Sequence, residues 1–295
     1  MLDLPKKETL RLLQSLWGIW HILLWLFFQT GLMSTSSTTN AIFLQTKSID
    51  KRTMNIQNDI DVTVGNDANR NDVPDIEIMV IPLNTLERDV PGRSLFSLYP
   101  TVVQPRGSGR IELADRDPSS NPRITHPMFL EEEDFTVARL AVRFTMRLAE
   151  EFQNSGYPYP APLAFAPGNR PDLLAEWEKS GDPKGTNQDS PRTNKAINRV
   201  ETVLTDGKTW RTVTDEEIDD YMRRVTHTAL HFSCTCPMSN SDESGVVDQQ
   251  LRVFGFKNLR IAHASVFPKI PSGHTMAPVM MVAERCADFV KDSWK

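Results

Sequence analysis

The sequence predicts an α+β fold. Strand-like runs and amphipathic helices alternate irregularly along the chain, with no clean βαβ repeat. No internal repeat is visible either. The size fits one or two domains: 295 residues are enough to bury a real core. Apolar residues make up 39% and charged residues 24%, ordinary values for a globular chain and unlike a disordered one.

Leu16–Phe28 reads LWGIWHILLWLFF and is a helix by its apolar content. A buried helix ended by Gly31, a membrane anchor and a signal peptide all fit it. The run is shorter than the roughly 20 residues a membrane span needs. Lys6, Lys7 and Arg11 precede it as in a signal peptide, but no small-x-small cleavage site comes after it. A Ser/Thr loop leads to a strand at Ala41–Gln45, and the polar stretch Asp50–Asp75 reads as a long loop. Ile76–Pro82 reads as a buried strand, and Leu98–Gln104 and Gly109–Leu113 as two more. Asp115–Pro127, rich in proline, reads as loop.

Glu131–Phe152 opens with three acids and then puts Val137, Leu140, Phe144 and Leu148 on one face, a strong helix pattern. Tyr157–Asn198 is polar and rich in Pro and Gly, an insertion or mobile loop. Thr214–Thr228 predicts a second helix, with Thr214 and Glu217 spaced for a capping box. Leu251–Val266 reads as two short strands around a turn at Gly255–Asn258. Ala277–Val290 predicts the last helix, with Pro278 in its first turn.

Charge and composition exclude several classes. With 33 Lys+Arg against 38 Asp+Glu the net charge is −5, which argues against nucleic acid as a partner. Three cysteines (Cys234, Cys236, Cys286) are too few for a disulfide scaffold and favour an intracellular setting. Only 14 glycines stand against 20 prolines, and no GxGxxG, P-loop, G-x-S-x-G or HExxH motif occurs.

Chemistry concentrates in His227–Cys236. His227, His231, Cys234 and Cys236 form H-x3-H-x2-C-x-C, a set able to hold zinc, although Cys-x-Cys is tighter than the usual knuckle. The cysteines also read as small buried hydrophobes. A third reading is proton transfer by His231, paired through folding with His274, which directly precedes the last helix.

Several blocks then match one family in order and spacing. They are His231-Phe-Ser-Cys-Thr-Cys-Pro-Met238, Gly245-Val-Val-Asp248, Leu251-Arg-Val-Phe-Gly255, Leu259-Arg-Ile-Ala-His-Ala-Ser265 and Pro271-Ser-Gly-His-Thr275. This text resembles the C-terminal half of fungal-type glucose-methanol-choline (GMC) oxidoreductases. Weaker similarity reaches Pro105–Leu113, Asp117–Leu130 and Trp25–Ser34, so it covers most of the chain.

The resemblance implies an antiparallel sheet with helices forming a substrate-binding domain over residues 1–240. Residues 241–295 would complete a flavin domain whose N-terminal Rossmann part is absent from this sequence. It also implies that the hydrophobic N-terminal run is a domain helix and not a membrane anchor. The implied cofactor is FAD and the implied chemistry oxidation of an alcohol to a carbonyl. By motif, His231 is the base and His274 the partner that hydrogen-bonds the substrate oxygen. His263, Ala264, Thr275 and Met276 fall at cofactor-contacting positions, and no metal is implied. Implied partners are a small-molecule alcohol and either a complementary flavin-domain chain or a second copy. Three departures stand out: Cys234 and Ser239 replace family glycines, and His263 replaces a family aspartate. The absent dinucleotide-binding turn and the aspartate lost at His263 favour, as an alternative, a non-catalytic remnant or binding module without autonomous FAD binding. An exposed apolar patch is expected around residues 246–295.

Overall fold

The computed structural model describes residues 1–36, 38, 40–57, 73–86, 93–126, 128–168 and 208–294. Much of the expected loops over 50–75 and 157–198 lies outside the described residues. The chain divides into two compact units. One comprises Met1–Val62, Ile76–Thr101 and Thr136–Thr226; the other comprises Thr63–Asp75, Val102–Phe135 and His227–Lys295.

The first unit is built on a four-stranded sheet. Its strands are β1 (Leu2–Asp3), β2 (Asn40–Leu44), β3 (Ile76–Ile81) and β4 (Leu95–Val102), in spatial order β1-β4-β3-β2. Leu2 pairs with Phe96, and Ile42 with Ile78, both antiparallel. Ile76 and Ile78 are fully buried, as the apolar run of β3 requires.

Helix α2 (Glu132–Asn154) forms for two reasons written in its sequence. Glu132, Glu133 and Asp134 place negative charge on the positive end of the helix dipole. Ala138, Ala141, Val142, Thr145 and Ala149 are buried at helical spacing. Arg139 and Arg143, one turn apart, grip the chain between Trp210 and Asp219. Arg139 makes a two-pronged bond to Asp219 at 2.7 Å and 2.7 Å. Arg143 reaches Asp215 at 2.7 Å and the carbonyls of Trp210 and Val213 at 2.8 Å each.

Helix α3 (Asp215–Val225) begins as its sequence directs. The Glu217 N–H donates to Thr214 Oγ1 at 3.2 Å and the Thr214 N–H to Glu217 Oε2 at 2.9 Å, a complete capping box. Ile218 and Met222 turn inward and are buried.

Helix α1 (Leu16–Phe28) has the expected bounds but not the expected burial. Only Gly18 is buried, while Leu16, Trp17, Phe27 and Phe28 are 85%, 64%, 74% and 70% exposed. Its residues are apolar on every side, so no single face can be hidden by one neighbour. Its end is also corrected: Gln29, in the left-handed region at φ 54°, caps it ahead of Gly31. Among the described residues no helix is long and apolar enough to cross a membrane.

The second unit carries the hairpin of β5 (Arg110–Glu112) and β6 (Arg123–Thr125), and the last helix, α4 (Met276–Asp292). β6 falls inside the stretch read as loop. The two strands expected within Leu251–Val266 are reduced to isolated bridges, Val247 with Val253 and Arg252 with Arg260. The core of this unit is Val247, Leu251, Val266 and Phe267, covered by Cys234, Met238, Val279, Val282, Cys286 and Phe289 among others. On α4, Met276, Met280 and Met281 remain 73%, 60% and 72% exposed, the apolar surface expected in this stretch.

Candidate active site

The segment from His227 to Met238 has no regular secondary structure, and its second half is fixed by its backbone. From Cys234 onward, every second N–H donates to the stretch Ala264–Val266. Cys234 N–H reaches Ala264 O at 3.2 Å, Cys236 N–H reaches Ser265 O at 2.9 Å and Met238 N–H reaches Val266 O at 2.9 Å. The side chains of two of these donors, Cys234 and Met238, pack on the apolar core of the unit. Leu230 and Cys234 lie in the left-handed region at φ 61° and 65°. That conformation costs a residue with a Cβ about 1–2 kcal/mol. Cys234 stands where the resemblance places a glycine, which adopts it freely.

His231 lies between these two residues and meets His274 from the loop ahead of α4. His231 Nε2 and His274 Nδ1 are 2.8 Å apart, with the rings edge-to-face at 81°. A contact this short between ring nitrogens requires one N–H and one lone pair. Which ring donates depends on the tautomer. Next to it, Phe232 packs edge-on against His126 with centroids 5.5 Å apart.

The other site residues singled out in the sequence fall on the turn at Ala264–Val266 and at the start of α4. His263 is exposed, and its Nδ1 accepts from the Ser265 N–H at 3.3 Å, heading the short turn Ala264–Val266. Ala264 is tied to the His231 segment through its carbonyl. Thr275 is the N-cap of α4 without a side-chain cap bond, and Met276 opens the helix.

Two observations fit this region to a polar cofactor. The hydroxyls of Ser265 and Ser272 are buried without a hydrogen-bond partner. The first N–H groups of α4 have no partner inside the helix, and Pro278 supplies none. His231, Cys234 and Cys236 do not converge on a zinc centre: among the described residues no three His, Cys, Asp or Glu side chains could hold one metal ion. His227 instead lies with Nδ1 3.1 Å from the Thr228 carbonyl. All three cysteines are free thiols.

The sequence from 105 to 283 matches the C-terminal region of the GMC oxidoreductase family. That is more than half of the chain, and the chain belongs to this family, whose cofactor is FAD. Among its relatives, mitochondrial choline dehydrogenase of Homo sapiens is 47% identical over 78 residues, 26% of this chain and 13% of that protein. The oxygen-dependent choline dehydrogenase of Acinetobacter baumannii is 31% identical over 183 residues, 62% of this chain and 25% of that protein. The chain thus spans a quarter or less of these two relatives. A solved formate oxidase superposes with a TM-score of 0.65 and 20% identity, over 99% of this chain and 45% of that one. At that identity the likeness concerns the fold, which agrees with the mixed helix and antiparallel-sheet architecture.

Sequence reasoning did not single out Gln104, Asp134 or the His126–Phe232 contact. Asp134 reads as one more helix-start acid, and Gln104 as the end of a strand. Only the adjoining Pro105–Gly109 motif marked their neighbourhood.

Proposed function

We propose that this chain carries the proton-handling part of an FAD-dependent oxidation of CH–OH groups, in which a small alcohol becomes a carbonyl. The observation that supports it most directly is the 2.8 Å contact between His231 and His274. Bound FAD supplies the acceptor for the hydride that leaves the carbinol carbon. His231 takes the hydroxyl proton as that hydride leaves, so the C–O bond becomes a carbonyl and the charges balance. His274 hydrogen-bonds the same oxygen. An alcohol hydroxyl both donates and accepts, so it can replace the direct bond between the rings by lying between them. His263, Ala264, Thr275 and Met276 hold the cofactor, and the positive end of α4 favours negative charge beside it.

The domain assignment is part of the proposal: residues 1–240 for substrate recognition, 241–295 for completing the flavin-binding half. So are the intracellular setting and the partner, a flavin-domain chain or a second copy. The test is the visible spectrum of the purified chain, alone and titrated with FAD. A bound flavin spectrum and alcohol-dependent bleaching are expected, from the chain alone or once it is assembled with its partner. A colourless chain that ignores added FAD overturns autonomous catalysis. It would leave the second reading, a non-catalytic binding module, which the exposed length of Leu16–Phe28 favours.

A further inference from the structure

The loop that delivers His274 makes few main-chain hydrogen bonds among the described residues. From Pro268 to Ser272 no residue makes a backbone-to-backbone hydrogen bond among the described residues. Pro268 and Pro271 have no N–H to give. On its C-terminal side the loop is anchored by α4, where the Val279 N–H donates to Thr275 O at 3.0 Å. On its N-terminal side a side chain provides the anchor: Gln104 Nε2 donates to the Ile270 carbonyl at 3.1 Å.

Gln104 is itself well placed to act as a tie. The residues after it are pinned by Asp134, which is 4% exposed. Asp134 Oδ1 accepts from the Arg106 N–H at 2.7 Å, and Oδ2 from the Gly107 N–H at 2.9 Å. These are charge-assisted bonds in a buried setting, stronger than neutral ones. Gly107 suits the approach, since a Cβ there would lie 3.3 Å from Asp134 Oδ2. On the other side, the Val103 N–H donates to Asp75 O at 2.9 Å. Gln104 thus lies between two fixed stretches, and its amide reaches a loop whose main chain makes no hydrogen bond to main chain from Pro268 to Ser272 among the described residues.

We propose that Gln104, seated by Asp134, is the positioning residue that holds His274 in register with His231. Its amide sets the place of Ile270, four residues before His274. The remaining stretch, Pro271-Ser-Gly, is too short to absorb a shift of Ile270 without moving the imidazole. The proposal concerns the contact of the two rings. Its catalytic use rests on the function proposed above.

The test uses the full chain labelled with 15N-histidine, without flavin. In the wild type the two rings give a shared-proton resonance and a 15N–15N coupling across the hydrogen bond. His231→Ala and His274→Ala assign these signals. In Gln104→Leu, which keeps the bulk and removes the donor, both signals are expected to vanish. Gln104→Lys restores a donor and is expected to restore them. Circular dichroism and thermal unfolding monitor folding in every variant, since a merely structural role would move those and leave the coupling intact. A folded Gln104→Leu variant with the wild-type coupling overturns the proposal. If Gln104→Leu fails to fold, Gln104→Glu serves in its place: it removes the donor at neutral pH and keeps the shape. A failed FAD titration with an intact ring coupling would count against the flavin reading and leave this one standing.

Discussion

The helices α2 and α3 and the segment around His231 solve the same problem by opposite means. In the helical pair the backbone satisfies itself, and side chains do the fastening: Arg139 and Arg143 clamp Asp219, Asp215 and two carbonyls. Around His231 the backbone does the fastening, through the bonds of Cys234, Cys236 and Met238 to Ala264–Val266. Its polar side chains are left to meet each other or solvent. A region held by its backbone can change side chains without losing its shape. A region held by side chains cannot.

The two regions should therefore respond to mutation in opposite ways. The largest effect belongs to His231→Ala. In the flavin-loaded enzyme, assembled with a partner chain where one is needed, turnover is expected to fall about 10²–10⁴-fold. Unfolding in urea is expected to shift by no more than about 0.5 kcal/mol, because the ring is only half-buried and its segment is held by main chain. Unchanged turnover removes His231 as the base. A large loss of stability breaks the contrast.

Asp219→Asn is the converse case. The hydrogen bonds from Arg139 hold the Asp219 carboxyl below the usual carboxylate range. A depressed value in the folded state means that the stabilisation is present above the ordinary carboxylate range, near 4. It is lost as pH falls through the folded value. At neutral pH the variant is expected to lose about 1–3 kcal/mol, since an amide accepts only one of the two hydrogen bonds that the largely buried Arg139 guanidinium gives Asp219. Denaturant curves at a series of pH values should show the gap closing in acid. A gap that stays constant down to about pH 2, below the ordinary carboxylate range, would mean that the ion pair contributes nothing through charge.

The same contrast explains what could be read from the sequence. α2, α3 and α4 were legible because periodicity, first-turn acids and a capping box are local signals. The structure sets them within two or three residues of the expected bounds. β1 was invisible because two residues, Leu2 and Asp3, cannot show alternation. β6 was hidden among prolines, and the strands expected in Leu251–Val266 failed because short apolar runs also suit irregular, backbone-bonded chain. The exposure of α1 could not be read, since apolar content says that a surface wants cover, not that this chain provides it. At the site, His231 and His274 could be named from motif, but not Gln104. A glutamine that donates to a carbonyl far along the chain leaves no pattern in spacing.

The smallest effect is the sharpest test of the comparison, because it uses the same replacement in both regions. In α2, Ala141→Gly removes a buried methyl and loosens the unfolded chain, and is expected to cost about 1 kcal/mol. At Cys234 the backbone already sits at φ 65°, where a Cβ is strained by about 1–2 kcal/mol. Glycine there relieves the strain. Against that stand a gain of about 0.5–1 kcal/mol in the freedom of the unfolded chain and the lost packing of a half-buried thiol. The terms nearly cancel, so Cys234→Gly is expected to leave stability within about 0.5 kcal/mol of wild type. Cys234→Val, β-branched in the same left-handed conformation, should lose about 1–3 kcal/mol. Equal losses for glycine at 141 and 234 would show that Cys234 bears no strain, and that its side chain, like those of the helices, helps to hold its region together.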